Sequence, residues 1–92
     1  MTRLVIKKII FDEYNLEHFK KHNITREEVE EAVNNFIAHK RAKEGRYIAI
    51  GRAGSRLISM VIKRKGLGVC YVVTARDSAK KERKIVYVEE KN

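Results

Sequence analysis

Between residues 24 and 77 the apolar positions change their spacing from a helical repeat to an alternation broken by glycines, which commits the chain to a mixed helix-and-sheet fold. Thr25-Arg-Glu-Glu28 is a capping box, with Ile24 and Val29 in the staple positions on either side of it. Val29, Ala32, Val33 and Phe36 then recur at i, i+3, i+4 and i+7, which predicts a helix with one apolar face and outward-facing glutamates. From Ile37 the period falls to two, in segments Tyr47 to Arg52, Arg56 to Arg64 and Val69 to Asp77. Ala53-Gly54-Ser55 and Gly66-Leu67-Gly68 are the turns between them. The last segment is apolar on both faces, which predicts a central strand covered on both sides. A further strand over Ile37 to Lys43 also fits the pattern.

The flanks complete the order. Leu4-Val5-Ile6 and Ile9-Ile10-Phe11 suit a short edge strand, where Lys7 and Lys8 discourage unwanted pairing. Asp12 offers an N-cap to a helix that carries Glu13 in its first turn, sets Leu16 and Phe19 on one side, and ends near His22. Asn23 can then take the left-handed stop position. A helix is predicted from Ala79 onward, although Ile85-Val86-Tyr87-Val88 has strand propensity. The expected order is β-α-α-β-β-β-α: an α+β domain in which two N-terminal helices and a C-terminal helix pack on one face of an antiparallel meander sheet.

Ninety-two residues suit one domain, here 1–92, with a single core. Cys70 is the only cysteine, so no internal disulfide and no cysteine-based zinc cage can form, and a reducing cytoplasm fits best. No apolar run approaches the ~20 residues of a membrane span, and the two lysines break up the amino-terminal apolar stretch. No cofactor and no membrane partner are expected.

Charge is concentrated. Ala38 to Lys65 holds nine Lys and Arg against one acid, Glu44, giving 9 − 1 = +8 of the total +9, while Glu27, Glu28, Glu30 and Glu31 crowd the preceding helix. Such a patch draws polyanions at long range, nucleic acid first among them. Lys40, Arg41, Lys43, Arg46, Arg52, Lys63 and Arg64 are the candidate nucleic-acid contacts. Depending on where the turns centre, Arg56 falls opposite Arg76 or Asp77, and Arg52 or Gly51 falls opposite Arg56. The expectation is that Arg52, Arg56 and Arg76 gather at one end of the sheet as phosphate clamps. The alternative is that Arg76 pairs with Asp77, Glu82 or Glu44 in a surface ion network.

Metal-free RNA cleavage needs a proton acceptor for the 2′-OH, stabilisation of charge on phosphorus, and a donor to the leaving oxygen. Arg56 and Arg76 suit the second task. His22 is the best candidate for proton transfer, although a histidine at a helix end also bonds the last carbonyls. His18 and His22 have i, i+4 metal spacing but lack a third ligand, so no metal site is expected. Glu44 could orient an arginine or act as a weak base, and His39 could touch nucleic acid. Tyr47, Tyr71 and Tyr87 could stack on splayed bases, with a core role favoured for Tyr71.

Phe11-Asp12-Glu13-Tyr14-Asn15 through His18, then His22-Asn23-Ile24 and Glu27-Glu28-Val29, resemble the front half of the BrnT-type toxins. Arg46-Tyr47 through Gly51-Arg52, Arg56-Leu57, Thr74-Ala75-Arg76-Asp77, Lys81-Glu82-Arg83 and Tyr87 resemble the back half. Two departures stand out: Asn23 where the family has Gly, and Tyr87 one residue later than the family spacing. The resemblance implies a RelE-like endoribonuclease toxin of a type II toxin-antitoxin system, cleaving RNA without metal and so inhibiting translation. It also implies a cognate antitoxin, ribbon-helix-helix or similar, covering the basic face with an acidic segment. Residue chemistry and resemblance together give the candidate catalytic set Arg56, Arg76, His22, Tyr87 and Glu44. The competing expectation is a non-catalytic nucleic-acid-binding or repressor-partner module that needs only the basic face.

Overall fold

Two side-chain oxygens start the first half of the fold. In a computed structural model describing residues 5–91, with side chains over 5–89, Asp12 caps α1 (Glu13–Lys21) and Thr25 caps α2 (Arg26–Asn34). Each closes a reciprocal box, Asp12 with Asn15 and Thr25 with Glu28, so the first amides of both helices are satisfied. Between the helices Asn23 turns the chain at φ 56°, the left-handed role expected of it. Asn15 is fully buried, and its amide also donates to the Ile10 carbonyl at 2.8 Å, tying α1 to the strand before it.

Five strands follow the alternating pattern: β1 (Lys8–Ile10), β2 (Phe36–Arg41), β3 (Arg46–Ala53), β4 (Arg56–Gly66) and β5 (Val69–Asp77), with α3 (Lys80–Lys91) closing the chain. Leu4, at the head of the expected edge strand, lies outside the described residues. The strands form one sheet in the order β1-β5-β4-β3-β2. β2 through β5 pair antiparallel with their sequence neighbours, whereas β1 lies parallel to β5, so the sheet is mixed. Phe36 does not continue the α2 stripe as its spacing predicted. Asn35 ends the helix, and Phe36 opens β2, which matches the further strand offered over Ile37 to Lys43 but starts one residue earlier and ends two sooner.

The helices are not all on one face, and alternation shows why. Tyr47 and Ala49 of β3 point into the larger core with Phe19, Val29, Ala32 and Val33 of the first two helices; Ile48 and Ile50 point the other way and pack with Val86 of α3. Strand positions of both parities are apolar here, so each face needs its own cover. Gly51 lies where α2 crosses β3: a Cβ there would sit 1.9 Å from the Ala32 carbonyl oxygen. Cover on the α3 face is incomplete. Val61, Tyr71, Val73 and Thr74 are only half-buried, whereas Met60, Ile62 and Val72 on the other face have no exposure at all. β5 is therefore not enclosed on both sides as its composition suggested. No helix among the described residues is long and apolar enough to cross a membrane.

Candidate functional site

The sheet has two chemically different ends. The β2–β3 and β4–β5 turns and the start of β1 lie at one; the β3–β4 turn, the end of β5, the α1–α2 junction and the start of α3 lie at the other. Seven residue steps along β3 separate them, about 24 Å at ~3.4 Å per step.

At the first end the cations gather. Arg46 is directly opposite Lys63, which is opposite Tyr71; Arg41 is opposite Tyr47, and Lys40 opposite Ile48. Lys43 occupies the β2–β3 turn, and Arg64 and Lys65 approach the β4–β5 turn. Parallel pairing of β1 adds Lys7 and Lys8, because Lys8 is opposite Val69 and both lysine amides donate to the Gly68 carbonyl oxygen at 2.8 and 2.9 Å. The pair Lys7-Lys8 was legible only as an edge deterrent, since nothing in their spacing reveals a parallel partner sixty residues on. None of these nine side chains forms an ion pair or side-chain hydrogen bond with another described residue. Like charges opposed across strands are unfavourable, and among the described residues no carboxylate pairs with them. Glu44 is exposed at φ 62° in the β2–β3 turn, so it is a turn residue roughly a sheet-length from Arg56 and cannot share a reaction centre with it.

At the second end Arg56 and Arg76 are held by carboxylates. Arg56 is opposite Ala53, not Arg76, Asp77 or Arg52; Arg52 is opposite Leu57, and Arg76 is opposite Ser59. The expected alignment therefore fails, and Arg56 and Arg76 emerge on opposite faces of the sheet. Arg56 forks onto Asp77, with Nη2 3.1 Å from Oδ2, and its Nη1 donates to Glu28 Oε2 at 3.0 Å and to the Asn23 carbonyl at 2.9 Å. One guanidinium thus joins α2, β4, β5 and the turn that follows α1. The hydrogen bonds that Arg56 donates to Asp77 and Glu28 raise its pKa further above its already high value. In return, Asp77 is held below the ordinary carboxylate value, chiefly by its hydrogen bond to Arg56. Glu28 is also lowered, first by the Thr25 amide and then by Arg56, with burial opposing. Glu28 is therefore not one of the outward-facing glutamates expected of α2.

On the opposite face Arg76 donates to both oxygens of Glu82, at 3.0 and 2.8 Å. Glu82 is 6% exposed and also accepts the Ala79 amide at 2.7 Å and the Ser59 hydroxyl at 2.9 Å, while Ser78 bonds Ser59 at 2.8 Å. Burial alone would raise the Glu82 pKa, but these donors outweigh it and the net shift is downward. The buried acid fastens the start of α3 to the sheet, and Arg76 is the cation that permits its burial. Of the acids foreseen as partners for Arg76, Glu82 is the one whose carboxylate pairs with it, while Asp77 offers only its backbone carbonyl, at 3.2 Å.

Arg52, Ser55, Arg56, Asp77, Arg83 and Tyr87 line a crevice of about 180 Å³ at this end. Arg83, absent from the expected set, donates Nε to the Ser78 carbonyl at 3.2 Å. Tyr87 is half-exposed on α3. His22 caps α1, and its carbonyl lies 3.5 Å from Arg56 Nη2. His18 packs against the Tyr14 ring, 4.7 Å between centroids. No group of three or more His, Cys, Asp or Glu among the described residues is placed to hold a metal. His39 packs between Phe36 and Tyr47, and the Tyr71 hydroxyl donates to Asp12 at 3.0 Å. Tyr47 is buried, which removes it from the tyrosines that could stack on a base.

Compared with protein-family models, curated proteins and solved structures, the chain matches none.

Proposed function

We propose that this domain binds nucleic acid, RNA in the first instance, through the basic end of the sheet and the adjoining half-covered face. The observation that carries the reading is the set of nine Lys and Arg at that end, unpaired among the described residues, with Arg46 and Lys63 in direct register. A phosphate backbone relieves their mutual repulsion and releases its counterions on binding. Half-buried Tyr71 beside Lys63 adds an aromatic surface to the cationic row. Fluorescence anisotropy of a labelled single-stranded RNA, titrated at several salt concentrations, tests it. Affinity should fall steeply with salt, and an affinity indifferent to salt would reject the reading.

A second reading, a toxin-type endoribonuclease held by an antitoxin, draws support from the crevice that brings Arg52, Arg56, Arg83 and Tyr87 together beside the end of α1. Here the crevice would hold the scissile phosphate while the basic end carries the flanking strand. Arg76 and Glu44 would have no contact with the reacting atoms, since one is bound to Glu82 and the other is at the far end. Product formation in EDTA between pH 6 and 8, abolished in Tyr87→Phe or Arg83→Gln protein that still binds RNA, supports this reading. Binding without product leaves the first reading alone.

A further inference from the structure

Leu67 is 92% exposed, far more than any other large apolar side chain described. It stands at the tip of the β4–β5 hairpin between Gly66 and Gly68, directly beyond Lys63, Arg64 and Lys65. Neither glycine carries a side chain to shield it, and the turn itself needs no leucine. The tip is also braced. Lys7 and Lys8 both donate to the Gly68 carbonyl, and Gly68, at φ 73°, lets the Lys7 stem lie so close that a Cβ would meet it at 3.0 Å. An apolar point braced at the tip of a cation-lined hairpin has the construction of a wedge: the cations hold phosphates while the point enters the base stack.

We propose that Leu67 inserts between neighbouring bases of the bound RNA and unstacks them, an inference that rests on the binding reading above. A lipid surface is the weaker partner for the same chemistry, because one leucine offers a fraction of the apolar area of a single acyl chain, itself only a marginal anchor. Unstacking offsets much of what the leucine gains by burial, so the wedge changes the shape of the RNA more than the strength of binding.

The experiment uses the full chain and RNA oligonucleotides carrying 2-aminopurine at successive positions. On binding wild-type protein, fluorescence should rise severalfold at one position. Leu67→Ser, a change at an exposed site, should abolish that rise while weakening affinity by less than about tenfold and leaving its salt dependence unchanged. Binding without any fluorescence change, or the same change with Leu67→Ser, overturns the wedge and leaves RNA binding standing. No binding overturns both. Leu67-dependent partition into anionic vesicles, without a 2-aminopurine signal on RNA, assigns the tip to lipid and also overturns the proposal.

Discussion

Replacing Arg56 by Gln should destabilise the domain without changing the salt response of the proposed RNA binding. Arg56 is 28% exposed and pairs with Glu28 at 31% and Asp77 at 55%, so each ion pair is partly solvated and contributes about 0.5–1 kcal/mol. The charged bond to the Asn23 carbonyl adds about 1 kcal/mol after allowing for the same solvation. Removing all three leaves Glu28 and Asp77 without their shared cation, for a total of about 2–3 kcal/mol. For a domain of this size that corresponds to a fall in Tm of roughly 10–20 °C. Circular dichroism melts and urea titrations measure it, and a cycle with Glu28→Gln isolates the Arg56–Glu28 coupling. Arg56→Lys should recover only part of the stability, because a single ammonium cannot reach Asp77, Glu28 and Asn23 together. A destabilisation below about 0.5 kcal/mol, or a clear drop in the salt dependence of RNA binding, would refute the reasoning that Arg56 is a tertiary clasp.

Other outcomes follow from the same geometry. Glu82→Ala should cost about 3 kcal/mol, since it removes the acceptor of Ala79, Ser59 and Arg76 together, and hydrogen exchange should show α3 loosening before the sheet. Gly51→Ala should prevent stable folding, or cost more than about 4 kcal/mol, because a Cβ at that position overlaps backbone rather than a movable side chain; circular dichroism of the purified variant reads this directly. Glu28, Asp77 and Glu82 all have lowered pKa values in the folded state, so their contribution is complete above their ordinary values of 4.5, 3.8 and 4.5 and disappears as pH falls through the lowered ones. Urea midpoints should therefore be flat from pH 7 to about 5 and decline below, and the decline should shrink in Glu82→Gln protein.

Local rules carried much of the fold. The Thr25 capping box, the Asp12 cap, the Asn23 stop, the glycine turns and the Val69–Asp77 strand are decided within a few residues, where propensity and capping chemistry act alone. What escaped the sequence depends on partners far along the chain. The parallel β1–β5 pairing brings Lys8 beside Val69, and no spacing rule announces it. Phe36 fits the helical repeat equally well as the residue that opens β2. At the site, the turns were placed correctly while the register was not: strand pairing puts Arg56 opposite Ala53, and a shift of a few residues decides which arginines meet and which face each occupies. Acids as ordinary in sequence as Glu28 and Glu82 proved to be the arginines' partners, because burial and convergence of donors, not residue type, select them. Arg83 and Tyr87 share one crevice because they stand four positions apart on α3, a helical relation obscured by the strand propensity of the residues between.

The proposed division of labour between the two ends is most directly tested by the slope of log affinity against log salt for single-stranded RNA. Neutralising Lys40, Arg41, Lys63 and Arg64 together to Gln, all exposed at the basic end, should reduce the slope by about 0.7 for each phosphate that no longer meets a cation, up to ~2.8 in all. An Arg76→Gln variant, studied well below its melting temperature, should retain the wild-type slope. A wild-type slope in the fourfold variant, or its collapse in Arg76→Gln, would contradict the account.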